Sequence, residues 1–384
     1  MTPKTLRATP LALCLTAASV SAQTTDDKID QLEQRLNALQ QQLTQSQSDR
    51  VRLNGFFSTG FARASNNAGF AGITDKAEVK DLSLFALQGS FQVNDKTQAV
   101  MQIIGRGEED WDPALEWAYI SHRPTNNLQV RAGKMRLPFF MYSDSLEVGY
   151  SQPWVRPSEA VYEPADITSY VGADVAHTLN FDSSSLTTTV FGGFTDEDTL
   201  TAGQPVDVRL RNAGGLTLLW TDYIWSLRAV AATAETTIEG QGFFIADSDR
   251  SNFYGLGFGY DDGNWQVLSE VTRVEVDGIF ADTDSAYLSV GHRFGSVTPY
   301  AKVGWIESVD NDDRPLAVDP TLAALNTRRD EYSLGLRWDV IPGVAIKADV
   351  THARGFDGKP GGLGNPMTTE SSTNVYTVKI DSAF

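Results

Sequence analysis

From Val51 onward the chain alternates: apolar residues recur at every second position, and polar stretches interrupt them at intervals. A two-residue period is that of a strand with one apolar and one wet face. The closing stretch VYTVKIDSAF, residues 375–384, shows it plainly. Tyr376, Val378 and Ile380 share one face, while Thr377, Lys379 and Asp381 share the other. The pattern predicts sixteen strands, at 51–63, 80–94, 97–106, 114–123, 128–135, 170–181, 186–195, 209–220, 223–235, 252–261, 264–275, 284–294, 297–308, 329–339, 343–353 and 373–384.

The connections alternate in length as regularly as the residues alternate in polarity. Short ones fall at 94–96, 124–127, 182–185, 221–222, 261–264, 295–296 and 342–343. Long ones fall at 64–79, 106–113, 136–169, 195–208, 236–251, 276–283, 309–328 and 354–372. Short turns on one side and long loops on the other are the signature of an antiparallel transmembrane β-barrel. An even strand number puts both chain ends on the turn side, the periplasm in such a barrel. Trp117, Tyr119, Trp220, Trp225, Tyr254, Trp265, Trp305, Tyr332, Trp338 and Tyr376 fall mostly near strand ends, where two interfacial girdles are expected.

The first fifty residues obey different rules. Lys4 and Arg7 precede an apolar run from Leu11 to Val20, and small residues end at Ala22, so 1–22 reads as a secretory signal peptide. Residues 23–50 contain no Gly, Pro or aromatic residue, and Ile29, Leu32, Leu36, Leu39 and Leu43 form the a/d seam of a short coiled coil. The expected organisation is therefore signal peptide (1–22), periplasmic coiled-coil segment (23–50) and barrel (51–384).

Composition sharpens this. Removal of 1–22 takes the single cysteine, Cys14, and leaves 29 basic against 49 acidic residues, a net charge of −20. Such a charge excludes nucleic acid as a partner, since phosphates need a basic footprint. No G-x-S-x-G occurs, GLGFGY at 255–260 lacks dinucleotide-loop spacing, and His122, His177, His292 and His352 sit on separate strands. Neither enzyme chemistry nor a cofactor or metal is expected.

Alternation then selects the wall of the lumen. Arg106, Arg131, Arg209, Arg211, Arg228, Arg293, Lys302, Arg337, Lys347 and Lys379 are read as pointing inward, against Glu116, Asp174, Glu270, Asp339, Asp349 and Asp381. Ten inward bases against six acids predict a mildly basic pore, beneath acidic outer loops such as GEEDWD at 107–112 and ESVDNDD at 307–313. In the longest loop, 136–169, Arg136, Asp144, Glu147 and Arg156 could line an eyelet or pin the loop to the wall. Lys134, also expected to line the constriction, falls out of phase with Arg131, which predicts a bulge near Gly133.

The final Phe384, with apolar residues at alternate positions before it, resembles the assembly signal of bacterial outer-membrane proteins. Ser382 departs from that pattern. The stretch GKMRLPF at 133–139 resembles Gram-negative porins related to the phosphate-selective O/P porins. With the coiled coil in front, the layout is similar to the DcaP-like trimeric porins. The resemblance implies a sixteen-stranded homotrimeric barrel in the outer membrane, in contact with lipid and lipopolysaccharide, with 136–169 folded into the lumen. It implies passive diffusion of small hydrophilic solutes, anions favoured mildly. A substrate-specific oxyanion or carboxylate channel and a plugged structural or adhesion barrel are the alternatives.

Overall fold

The computed structural model describes residues 50–384 except 166, 202–203, 241–242, 279, 310–313, 315–325 and 357–369. The expected signal peptide and coiled coil lie outside the described residues.

Sixteen antiparallel strands close into one barrel. They are β1 (Val51–Ala64), β2 (Leu84–Asn94), β3 (Thr97–Arg106), β4 (Pro113–Thr125), β5 (Leu128–Arg136), β6 (Ser169–Asn180), β7 (Ser185–Thr201) and β8 (Gln204–Thr221), followed by β9 (Trp225–Gly240), β10 (Phe243–Asp261), β11 (Trp265–Val276), β12 (Asp282–His292), β13 (Val297–Val309), β14 (Arg328–Ile341), β15 (Val344–Arg354) and β16 (Ser372–Ala383). The seam pairs β1 with β16, from Phe56 opposite Ala383 to Ala64 opposite Val375. Phe384 extends it: its N–H donates to the Gly55 carbonyl and its own carbonyl accepts from the Gly55 N–H, both at 2.9 Å.

The outward set is apolar and exposed, reaching 71% at Leu334 and 65% at Leu256, with Tyr376, Val378 and Ile380 among it. Only a nonaqueous surround makes such a face stable, because contiguous apolar surface this large is excluded from water. The turns on the chain-end side carry their own chemistry. Asp222 accepts from the N–H groups of Ile224 and Trp225, and Asp262 accepts from those of Asn264 and Trp265. Each carboxylate thus closes a tight turn by replacing a backbone acceptor. The Trp265 and Asn264 amides hold the Asp262 carboxyl below the usual range.

Several expectations need correction. Strand β2 begins at Leu84 rather than residue 80, because Lys80–Leu82 forms a 3-10 turn. The connections expected at 195–208 and 236–251 are strand: β7 and β8 pair out to Thr201 opposite Gln204, and β9 and β10 out to Gly240 opposite Phe243. These strands run 17, 18, 16 and 19 residues, longer than the others. Beyond the apolar band both faces meet water, so the alternation that marks a half-buried strand disappears. Trp117 and Tyr119 do not belong to the lipid girdle. They oppose Gln102 and Val100, both buried on the luminal face.

The bulge expected at Gly133 lies on the neighbouring strand. The β3–β4 register slips between Gln102 and Ile103, leaving Glu116 as the extra residue. Gly133 meets this distortion with φ 138°, and a Cβ there would stand 2.2 Å from the Ala118 carbonyl oxygen. Gly133→Ala is expected to cost at least about 1–3 kcal/mol from backbone strain alone. A urea midpoint equal to that of the parent, read by tryptophan fluorescence in vesicles, would refute this.

Candidate functional site

The wall of the lumen and the loop between β5 and β6, residues 137–168, form one packed unit. The loop carries four prolines' worth of constraint between 138 and 164 and holds one short helix, α1 (Glu159–Tyr162). Proline fixes φ and removes a donor, so such a chain bends without joining the sheet. Its apolar side chains Phe140, Trp154, Val161 and Tyr162 pack against Val230, Phe253, Leu268, Tyr287 and Tyr300, which project inward from β9 to β13. Phe139 stacks on Phe253 with centroids 4.5 Å apart, and Trp154 meets Tyr287 edge-on at 5.6 Å.

Wall cations then meet the loop backbone. Arg228 donates to the carbonyls of Pro138 and Phe139. Lys347 donates to those of Gly149 (2.6 Å) and Trp154 (2.9 Å), Arg337 to those of Tyr150 and Gln152 (both 2.7 Å), and Lys302 to those of Arg156 and Pro157 (both 2.9 Å). A loop folded away from water leaves carbonyls that need donors, and charged donors make the stronger bonds. Wall acceptors complete the attachment. Glu270 accepts from the Met141 N–H, the Tyr162 hydroxyl and the Tyr287 hydroxyl, and Ser289 accepts from the Trp154 indole N–H.

Where the loop carries Glu147, two bases and two acids form a quartet. Arg106 pairs with Glu116 (2.7 Å) and Glu147, and Arg136 pairs with the same two carboxylates. Arg156 donates to the Ala71 carbonyl at 2.8 Å and lies beside Glu159, tying the luminal loop to the β1–β2 connection. Lys347 also pairs with Asp381 (2.9 Å), which accepts from Ser58 at 2.6 Å, so the loop is joined to the barrel seam.

The remaining expected site residues lie elsewhere. Arg131 forks onto Asp174, with its guanidinium 5.5 Å above the Tyr119 ring. Asp144, exposed on the loop, is within electrostatic range of Arg131 and Tyr119. Arg293 forks onto Asp261 beside the β12–β13 turn. Three expected inward residues do not point inward. Arg209 and Arg211 flank the buried Leu210, and Arg211 stacks over Phe194, which is exposed on the outer face. Lys134 opposes Ala118 and the exposed Val171, an outward register position. The long β7–β8 pair slips register between Gly193 and Thr195, which reverses the phase beyond it.

Two buried residues belong with the inward set although the count of inward charges left them out. Arg329 and Glu331 pair with each other at 3.1 Å, and Arg329 reaches Glu163 on the loop. Glu331, Ser333 and Arg337 share a period in the sequence, so the same alternation that marked Arg337 identifies Glu331 as well.

No family model matches this chain, and no curated protein matches its sequence. Its structure is similar to solved outer-membrane proteins. An anion-selective porin from Comamonas acidovorans matches with a TM-score of 0.57 at 15% identity, covering 87% of this chain and 99% of that one. OmpF of Salmonella typhi, solved with daunomycin, matches with a TM-score of 0.59 at 10% identity, covering 87% and 97%. The trimer form of OmpT, an outer membrane protein of Vibrio cholerae, matches with 0.57 at 11%, covering 87% and 99%. At these identities the likeness shows the fold: a closed sixteen-stranded barrel of the porin type.

Proposed function

We propose that the chain is an outer-membrane porin, a passive diffusion channel for small hydrophilic solutes. One observation carries this reading: an apolar belt surrounds a closed barrel whose inward face, beside the apolar clusters that seat the loop, carries polar side chains on β2 to β5 that remain partly exposed, among them Gln88, Gln98, Gln129 and Arg131. A sixteen-stranded barrel is wide enough to hold water beside such a loop. The trimer form of one structural neighbour supports a homotrimer. The reading places both chain ends in the periplasm, lipid and lipopolysaccharide around the belt, and Phe384 at the seam as the contact for the assembly machinery.

Charge selectivity is expected to be weaker than the count of inward bases implies. Four of those bases donate to loop carbonyls, and Arg106, Arg131 and Arg293 are matched by carboxylates. A small chloride-favouring reversal potential is expected across a planar bilayer under a KCl gradient. A strong preference for either ion would contradict this balance. An oxyanion-specific channel would need a ladder of unpaired arginines, and the luminal arginines here have partners. The plugged barrel draws support from the loop's packing along β9 to β13. Liposomes that fail to swell in neutral sugars would favour it over the channel.

A further inference from the structure

The two halves of the lumen differ in what they offer a passing solute. Along β12 to β1 the inward polar groups are covered: Ser289, Ser333, Thr377 and Ser58 are all less than 5% exposed. Along β1 to β5, beside the paired charges, four inward side-chain amides are left open. Asn54 is exposed, and Gln88, Gln98 and Gln129 are half-buried. Asn54 opposes Gln88, which opposes the buried Gln102, while Gln98 opposes Ser121, so register places all of them on the luminal face. Gln102 donates to Gln88 at 3.2 Å, and Gln129 donates to Ser121 at 2.7 Å. Among the described residues none of the four hydrogen-bonds to the loop. The charges on this wall, Arg131 with Asp174 and Arg106 with Glu116, are matched internally.

We infer that this wall is a binding track for uncharged, hydroxyl-rich solutes of the sugar class; the inference rests on the channel reading above. An amide both donates and accepts, as a hydroxyl does, so a row of amides exchanges hydrogen bonds with a polyol without demanding a charge. Trp117 and Tyr119 stand beside the row with ring centroids 6.5 Å apart, and Trp117 opposes Gln102 directly. The Trp117 face, and the side of the Tyr119 ring opposite Arg131, next to a few fixed hydrogen-bonding groups suit a ring that is apolar on its face and polar at its edge. A charged solute gains nothing comparable here, because it would have to compete with the Arg131–Asp174 pair.

The test measures conductance through single refolded channels in KCl while glucose, maltose or gluconate is titrated. Glucose and maltose are expected to reduce the current with saturation, and gluconate at matched concentrations to do so less. In Gln88→Leu with Gln98→Leu, each referenced to its own KCl conductance, the half-saturating maltose concentration is expected to rise about tenfold, the effect of losing two hydrogen bonds. Gln88→Glu supplies a second variant that keeps the wall wet and should likewise weaken maltose. Equal, unsaturable effects of sugar and gluconate would overturn the track and leave the channel standing. An absence of KCl conductance would remove the channel, and the track with it.

Discussion

Lys347→Met is expected to destabilise the barrel by about 3–5 kcal/mol, the cost of leaving one partner of a buried ion pair alone. Lys347 and Asp381 are both fully buried, and the ammonium is also the donor for two loop carbonyls. Methionine keeps the stem and removes all three bonds. Asp381 then retains the Ser58 hydroxyl and Lys379 at 3.4 Å, which compensate it incompletely. Urea unfolding from vesicles reads the loss, and the double variant with Asp381→Asn should recover part of it, since the fully buried carboxylate charge is then gone even though Lys379 loses its partner. A change smaller than about 1 kcal/mol, the scale of a surface pair, would mean that water reaches the pair. Asp381 sits on the closing strand, so the same variant links two events: seating the loop and sealing the seam between β1 and β16.

That linkage was only half legible in the chain. Alternation placed Lys347 and Asp381 inward, because both strands are half-buried between lipid and lumen and a two-residue period survives there. The sixteen strands were legible for the same reason. Where strands leave the membrane, as in the outer parts of β7 to β10, both faces are wet and the period carries no information; 195–208 and 236–251 read as loops. One-residue slips are equally invisible. The Glu116 bulge and the slip beyond Gly193 turn Trp117 and Tyr119 inward and Arg209 and Arg211 outward without any mark in the composition. What a luminal cation does is a further step removed. Lys302 beside carbonyls and Lys302 facing water have the same sequence around them, and only the path of the loop distinguishes them.

Replacing residues 140–163 with a short Gly-Ser linker is expected to raise single-channel conductance several-fold. The loop is the element that fills the lumen along β9 to β13, and a sixteen-stranded barrel without such a filling is a wide aqueous channel. The replacement also removes Asp144, Glu147, Glu159 and Glu163 against one base, Arg156, which makes the lumen more positive by three charges. At the same time Arg106 and Arg136 lose Glu147, and Lys302, Arg337 and Lys347 lose their loop carbonyls, while Arg228 keeps those of Pro138 and Phe139. The reversal potential in a KCl gradient should therefore shift toward chloride relative to the intact chain. Stability should fall together with selectivity, because Val230, Phe253, Leu268, Tyr287 and Tyr300 lose their apolar cover. A larger conductance without the chloride shift would show that the loop acids are neutralised where they stand. An unchanged conductance would show that flow is limited elsewhere, and the β1–β2 connection, held to the luminal loop through Arg156 and Ala71, would be the next segment to shorten.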